Sequence, residues 1–353
     1  MASKYRKDFK YKTYKTMTAG RIFIVFIILA SASMLNTQAQ EHKNEITIKG
    51  TSFEMNGEPF EYTGVSFFNA IYNKEFNKNS QIRKEWMQKF INTGVNVLRV
   101  WCQWDSERGF IDSGEGKTIF NNDGSVKPEY LDRIKAIVGD ADEKGMVILL
   151  VLFSRESWNE NLRLSDEASE KSVSILTREL KPYRNVVFQI WNEFDYHTVD
   201  YFNVVKSVDK ERLVTNSPGY AGELGSIKEN MTLDFLSPHT TRKTDRHWEL
   251  AYKEISYLLE KYQKPVVDDE PARKGTPKFG GPKSENFPTD HILRIYNVWK
   301  AGGYVIYHHD MFQTGYGTDA VPSTGIPVPG FSEYHDEVFD FLKKKQRVLK
   351  NIR

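Results

Sequence analysis

From Ile46 onward the chain alternates between short, almost continuously apolar runs and longer segments whose apolar residues fall on one face. The short runs are residues 62–67, 95–101, 146–153, 186–191, 213–216, 235–239, 265–269 and 304–308. Runs of this length without polar alternation are the pattern of strands covered on both faces, as in a parallel sheet. The longer segments carry helix signals. Residues 82–92 place Trp86, Phe90 and Ile91 on one stripe and stop at Gly94, and 128–143 open on Pro128 and end at Gly145. Segments 246–262, 289–300 and 332–348 combine an apolar stripe with a charged face, 199–208 and 222–230 are shorter versions, and Ser165 is placed to cap the helix that follows it. Eight strand-helix units without a Pro/Gly/Ser-rich linker predict a single α/β domain, a (β/α)8 TIM barrel. A doubly wound open sheet would carry a Gly-rich phosphate turn after its first strand, and Gly64-Val65-Ser66-Phe67-Phe68 is not one. Residues 46–60, with Asn56-Gly57 between apolar runs, predict a hairpin that caps the N-terminal end of the barrel.

The first 39 residues break this pattern. Lys4, Arg6, Lys7, Lys10, Lys12, Lys15 and Arg21 precede an apolar run, residues 22–30, that turns small and polar at Ser31, Ser33 and Asn36. A basic region, a short apolar core and the cleavable-looking Thr37-Gln38-Ala39 form the layout of a signal peptide. The apolar run falls short of the roughly 18 residues of a membrane span. Residues 1–39 are therefore expected to direct export to a secreted or periplasmic location, leaving 40–353 as the barrel domain. The whole chain of 353 residues has 49 Lys/Arg and 47 Asp/Glu; the leader contributes seven of the bases and Asp8, so the remainder counts 42 basic against 46 acidic residues. This balance offers no footprint for nucleic acid, and a lone cysteine, Cys102, excludes a disulfide framework or a thiolate zinc cluster.

In a barrel of this kind chemistry sits at the C-terminal ends of the strands. The fourth run, Val186-Val187-Phe188-Gln189-Ile190-Trp191, leads into Asn192-Glu193, and the seventh, Pro265-Val266-Val267-Asp268-Asp269, into Glu270. Two carboxylates at strand ends facing one pocket are the minimal equipment for hydrolysing a glycosidic bond. Arg99, inside an otherwise apolar second strand, requires a carboxylate partner. His239 ends the sixth strand, and Tyr307 and His308 end the eighth, followed by His309 and Asp310. Aromatic rings that could stack on sugar faces follow the early strands: Phe67, Phe68, Trp101, Trp104 and Trp158.

On these residues the chain resembles the clan A glycoside hydrolases, most closely the cellulase and mannanase-like family 5. Further motifs carrying the likeness are Met55-Asn56-Gly57-Glu58-Pro59-Phe60 followed by Gly64-Val65, Gly94-Val95-Asn96-Val97-Leu98-Arg99, and the run from Tyr130-Leu131-Asp132 to Glu143-Lys144-Gly145-Met146. The resemblance implies a retaining glycosidase of β-linked glycans in which Glu193 is the acid/base and Glu270 the nucleophile. It implies that Asn192 binds the sugar 2-hydroxyl, that Arg99 stands beside the nucleophile, and that His239 lines the site; Trp101, Tyr307 and His308 are expected as further substrate contacts from their own places at the strand ends. No metal or other cofactor is expected, the partner is a carbohydrate substrate, and the protein is expected to act as a monomer without stable membrane insertion. The chain departs from the family after strand eight, where the usual tryptophan is missing. It departs again after His239, where Thr240 and Thr241 stand in place of a nearby tyrosine, and at Ser154-Arg155, where a histidine is common. Two other readings use the same residues: a metal-dependent barrel hydrolase built on His239, His308, His309 and Asp310, and a carbohydrate-binding barrel that has lost catalysis. Neither substrate identity nor endo or exo action is readable; the loops at 272–288 and 311–331 are long and rich in Gly and Pro, and Arg242, Lys243, Arg246, Lys274, Lys278 and Lys283 admit an acidic glycan.

Overall fold

The strand-forming runs pair in parallel, each with a neighbour far along the chain. The computed structural model describes residues 43–104, 114, 116–242, 246–271, 287–308 and 333–352. The leader, His309, Asp310, and nearly all of the loops at 272–288 and 311–331 lie outside the described residues. Strands β1 (Ile46–Lys49), β2 (Ser52–Met55) and β3 (Glu58–Pro59) form an antiparallel sheet. Met55 pairs with Glu58 across a tight turn in which Asn56 and Gly57 both take positive φ, 55° and 81°. That geometry is why Asn-Gly stands there.

Seven further strands build the main sheet: β4 (Thr63–Ser66), β5 (Val97–Trp101), β6 (Val147–Ser154), β7 (Val186–Asn192), β8 (Val214–Thr215), β9 (Val267–Asp268) and β10 (Tyr304–Tyr307). Their order is β8-β7-β6-β5-β4-β10-β9, so the first and last strands lie side by side. The gap between β8 and β9 is bridged by residues 235–239. The Asp234 amide donates to the Val214 carbonyl at 3.0 Å, the Leu236 amide to Pro265 at 2.9 Å, and the Val267 amide to Leu236 at 2.8 Å. The expected sixth strand therefore occupies its place in the ring, with a single ladder bridge, Leu236 to Val266. Closure between β4 and β10 is tight: a Cβ on Gly64 would lie 2.7 Å from Ile306 Cγ1, so only glycine fits.

Helices alternate with the strands: α1 (Ser80–Asn92), α2 (Pro128–Glu143), α3 (Asp166–Leu180), α4 (Thr198–Val208), α5 (Ile227–Thr232), α6 (His247–Tyr262), α7 (Pro288–Ala301), α8 (Glu333–Lys343) and α9 (Lys345–Ile352). Ser165 caps α3 by accepting from the Ala168 amide at 3.2 Å. The single helix expected over 332–348 is divided at Lys344 into α8 and α9. No helix among the described residues is long and apolar enough to cross a membrane.

Two apolar cores result. The larger lies between strands and helices; the smaller, inside the ring, contains Val97, Leu149, Val187, Phe235, Val267 and Ile306 and is closed from below by Ile46 and Phe53 of the N-terminal sheet. The hairpin therefore plugs the N-terminal end of the barrel and leaves the other end for chemistry. A cavity of about 660 Å³ opens beside this plug, lined by Phe53, Glu54, Phe60, Tyr304, Lys345 and Leu349, and no candidate site residue touches it.

Candidate active site

Strand alternation points every second residue of β5 into the ring. Val97 belongs to the inner core, and Arg99, two residues on, is fully buried with all three nitrogens engaged. Its Nε donates to Gln189 Oε1 at 2.9 Å, Nη2 to Asn192 Oδ1 at 2.7 Å, and Nη1 to Glu270 Oε1 at 3.1 Å. Nη2 also lies 3.2 Å from Asp269 Oδ2. One guanidinium thus ties the ends of β7 and β9 together, as its planar fork permits.

At the end of β7 the backbone departs from regular strand geometry. Glu193 has φ 58°, a left-handed conformation costly for a residue with its side chain. The turn brings Asn192 and Glu193, though consecutive, to the same pocket, while Trp191 turns outward and donates its indole N–H to the Tyr196 carbonyl at 2.7 Å. Asn216, just beyond β8, clamps this turn. Its Oδ1 accepts from the Trp191 amide at 2.8 Å, and its Nδ2 donates to the Phe194 carbonyl at 2.8 Å and to Glu229 Oε1 at 2.6 Å. Burial pushes Glu229 up to about 7, against the pull of the Asn216 hydrogen bond. An acid with a raised folded pKa favours folding below its unfolded pKa and loses that contribution as pH rises through the folded one. Urea unfolding is therefore expected to show stability falling by on the order of 2–3 kcal/mol across this interval, which runs from 4.5 to about 7. The substitution Glu229→Gln should flatten that slope.

Around the two glutamates charge is closely balanced. His239 Nδ1 lies 3.1 Å from Glu193 Oε1, and its Nε2 lies 3.2 Å from Asp269 Oδ1 and 3.5 Å from Glu270 Oε1. His308 Nδ1 is 3.6 Å from Glu270 Oε1 and 3.2 Å from Ser66 Oγ. Arg242 reaches both carboxylates, with Nη1 3.3 Å from Glu270 Oε2 and Nη2 3.6 Å from Glu193 Oε1. Burial alone would raise the pKa of Glu270, but His239, His308, Arg99 and Arg242 together hold its carboxyl well below the usual range. Burial likewise opposes a charge on His239, yet Glu270 and Asp269 push it up to about 9. Burial raises Asp269 against the attraction of Arg99 and His239.

The expected residues Arg99, Asn192, Glu193, His239, Glu270 and His308 therefore converge. Two do not take the expected places. Tyr307 points away from the pocket: its hydroxyl is 2.8 Å from His335 Nδ1, and its ring packs on His291 and Phe339 of the outer helices. The alternation explains it, since Ile306 belongs to the inner core and its neighbours on β10 face outward. Trp101 adjoins the site without offering an open sugar platform. It is 2 % exposed, lies beneath Arg99 at 4.4 Å and packs on Phe68 at 4.5 Å. Phe67, Trp104 and Trp158 are buried as well.

Three features were not singled out from the sequence. Arg242 reads as one of several charged loop residues but turns onto both glutamates. Asp269 reads as a neighbour of Glu270, although counting inward from Val267 by twos would have found it. Asp268, between them, faces out to Arg294 Nε at 3.2 Å. Tyr220, on the loop after β8, is 47 % exposed beneath the Arg155 guanidinium at 4.3 Å, and the nearby Gly222 amide donates to the His239 carbonyl at 2.7 Å. It is an open aromatic surface at this end of the described barrel. Glu193, His239 and Glu270 each offer one ligand-type atom, all within 4.8 Å of one another. The same carboxylates already face two guanidinium groups, so the donor set fits a charge-paired acid–base site better than a metal centre.

A barrel whose C-terminal mouth holds two close carboxylates, one ionised among cations and one bound to a histidine, defines the glycosidase class. The cellulase model of glycosyl hydrolase family 5 matches residues 53–232, slightly more than half of the chain and including Arg99, Asn192 and Glu193. The protein belongs to glycoside hydrolase family 5, the cellulase and mannanase-like family. No functionally curated protein shows significant sequence similarity to it. Among solved structures, a family 5 glycoside hydrolase from Bacteroides vulgatus is similar at 19 % identity and a TM-score of 0.59, over 76 % of this chain and 62 % of that one. The family 5 mannosidase of Rhizomucor miehei superposes with a TM-score of 0.59 at 12 % identity, covering 88 % of this chain and 99 % of its own. The endo-1,4-β-mannanase of the same fungus gives 0.58 at 11 % identity over 87 % and 99 %. These likenesses establish the barrel fold.

Proposed function

We propose that the protein is an exported, monomeric, retaining β-glycosidase in which Glu193 is the acid/base and Glu270 the nucleophile. The observation that carries this reading is the pair itself: a Glu193 oxygen and a Glu270 oxygen lie within 4.8 Å of each other. So close an approach of single oxygens favours a retaining pair, whose carboxyl groups stand about 5–5.5 Å apart, over an inverting pair at roughly 6.5–9.5 Å. Glu270, kept ionised, attacks the anomeric carbon, while Glu193 gives its proton to the departing oxygen and later takes one from the incoming water. Arg99 fixes Asn192 through its Oδ1 at 2.7 Å, and the amide nitrogen, which rests on a long 3.5 Å contact to Glu156 Oε2, is the group that would meet the sugar 2-hydroxyl. The mannosidase and mannanase among the structural neighbours direct a substrate panel first to β-mannosides and then to β-glucosides.

A dinitrophenyl β-glycoside fluorinated at the sugar 2-position is expected to add one glycosyl residue to Glu270, read by peptide mass spectrometry, and NMR is expected to show the β-anomer as first product. An inverted product without an adduct would overturn the reading. For the acid/base, Glu193→Ala should lose about 10³-fold in kcat/KM on a glycan but only a few-fold on a dinitrophenyl glycoside, whose leaving group needs no proton. Azide should restore turnover as a glycosyl azide of retained configuration. Equal losses on both substrates would remove Glu193 from that role.

A further inference from the structure

Asp269 is a third carboxylate in a pocket that needs two. It is fully buried beside the nucleophile, where its charge opposes that of Glu270. Neither of its oxygens has a hydrogen-bonding partner of regular geometry, and nor does His239 Nε2. Of these atoms, Asp269 Oδ1 and His239 Nε2 face each other at 3.2 Å, while Oδ2 lies 3.2 Å from Arg99 Nη2. Buried polar groups are costly unless paired, and Nε2 lies nearer Asp269 than Glu270 at 3.5 Å, so Asp269 is the acceptor its proton meets first.

We propose that Asp269 is a positioning residue for the acid/base: it holds the proton on His239 Nε2, leaving Nδ1 as the nitrogen that shares a proton with Glu193. The inference rests on the reading of Glu193 as acid/base. In the resting enzyme one proton is shared across the 3.1 Å between Glu193 Oε1 and His239 Nδ1. When the glycosidic bond breaks and Glu270 bonds to the anomeric carbon, that proton passes from Glu193 to the leaving oxygen. Two acceptors then face each other, a carboxylate oxygen and a bare ring nitrogen. The pair regains its proton from the water whose oxygen displaces Glu270, while the other ring proton stays on His239 Nε2, directed at Asp269 Oδ1, throughout. Without Asp269 the other tautomer forms, with the ring proton on Nδ1. It would donate to Glu193 and hold it ionised, unable to act as an acid.

The groups facing this unit are Glu193 just after β7, Arg99 from β5, Glu270 beside Asp269, His308 just after β10 and Arg242 from the loop after His239. Tyr62, also buried, feels the charge of Asp269 from beneath. Removing that charge leaves His239 with fewer anions, so its imidazolium should titrate at lower pH.

The test compares Asp269→Asn with the wild-type enzyme on two substrates. Expected is a loss of about 100-fold in kcat/KM on a glycan with a sugar leaving group, under about five-fold on the dinitrophenyl glycoside, and an alkaline limb moved to lower pH on the glycan. Equal losses on both substrates with an unmoved limb would overturn the proposal and leave Asp269 a structural residue. Glu193→Ala separates the two ideas: if it discriminates between leaving groups and Asp269→Asn does not, only this inference falls. Should the variant fail to fold, ¹⁵N-histidine NMR of the wild-type enzyme above the His239 pKa of about 9, where the ring is neutral and one nitrogen is bare, decides: the proton on Nε2 is the expected result and the proton on Nδ1 the refuting one.

Discussion

Glu270→Gln is expected to abolish turnover, by on the order of 10⁵-fold in kcat on every β-glycoside including dinitrophenyl substrates. The amide keeps the shape of the side chain and its place between Arg99 at 3.1 Å and Arg242 at 3.3 Å, so substrate binding should survive. What disappears is the anion that attacks the anomeric carbon. A good leaving group cannot compensate, and this insensitivity separates the nucleophile from the acid. Isothermal titration of an oligosaccharide into the variant, beside stopped assays with both leaving groups, measures the contrast. Retained turnover above about one hundredth of wild type would assign the nucleophile elsewhere.

Arg99→Met should be the most disruptive substitution outside the two glutamates. The methionine fills part of the volume but leaves Asp269 buried without its principal cation and Glu270 without one of the four that hold it ionised. Breaking a buried pair on one side costs about 3–5 kcal/mol, to be read from urea unfolding. The surviving enzyme should also lose activity early on the acid side. Glu270 has a depressed folded pKa, so its ionised form favours the native state above the unfolded pKa, and that contribution is lost as pH falls through the folded value. Removing Arg99 raises the folded value, and the acid limb of kcat/KM moves to higher pH. Arg99→Lys should keep part of the limb, because the charge remains. It should still lower kcat, because one ammonium cannot span Gln189, Asn192 and Glu270 together.

The main lines of both fold and site were legible because each follows from burial on two faces. The apolar runs at 146–153 and 186–191 coincide with the best-paired strands, β6 and β7, and Asn192-Glu193 stands where their ends place it. The run at 235–239 was legible as a strand but makes only one ladder bridge. Apolar pattern reports what is buried, and only the backbone decides how much is hydrogen-bonded. Tyr307 and Asp269 share one physical reason: a place at the end of a strand does not say which face a residue takes, and alternation turns Tyr307 out and Asp269 in. Arg242 could not be found that way, since it follows the last paired residue, and its direction is set by the loop. That loop is fixed by Thr240, whose hydroxyl donates to Asp268 Oδ2 at 2.5 Å, and by Thr241, whose amide donates to Glu254 at 2.8 Å.

The tight seam at Gly64 and Ile306 bears on when the enzyme becomes an enzyme. Arg99, Glu193, His239, Glu270 and His308 arrive one after another along the chain, and the last of them enters with the strand that zips against β4. Contacts this far apart in sequence form late, after the entropy of the intervening chain has been overcome. Helices and early strand pairs can assemble while the five charged groups are still dispersed in water. Only the final docking expels that water and sets the charges against one another. Catalytic competence thus depends on closing a seam with no space to spare, and a bulkier residue at Gly64 is expected to impair the whole site although it touches none of the reacting groups.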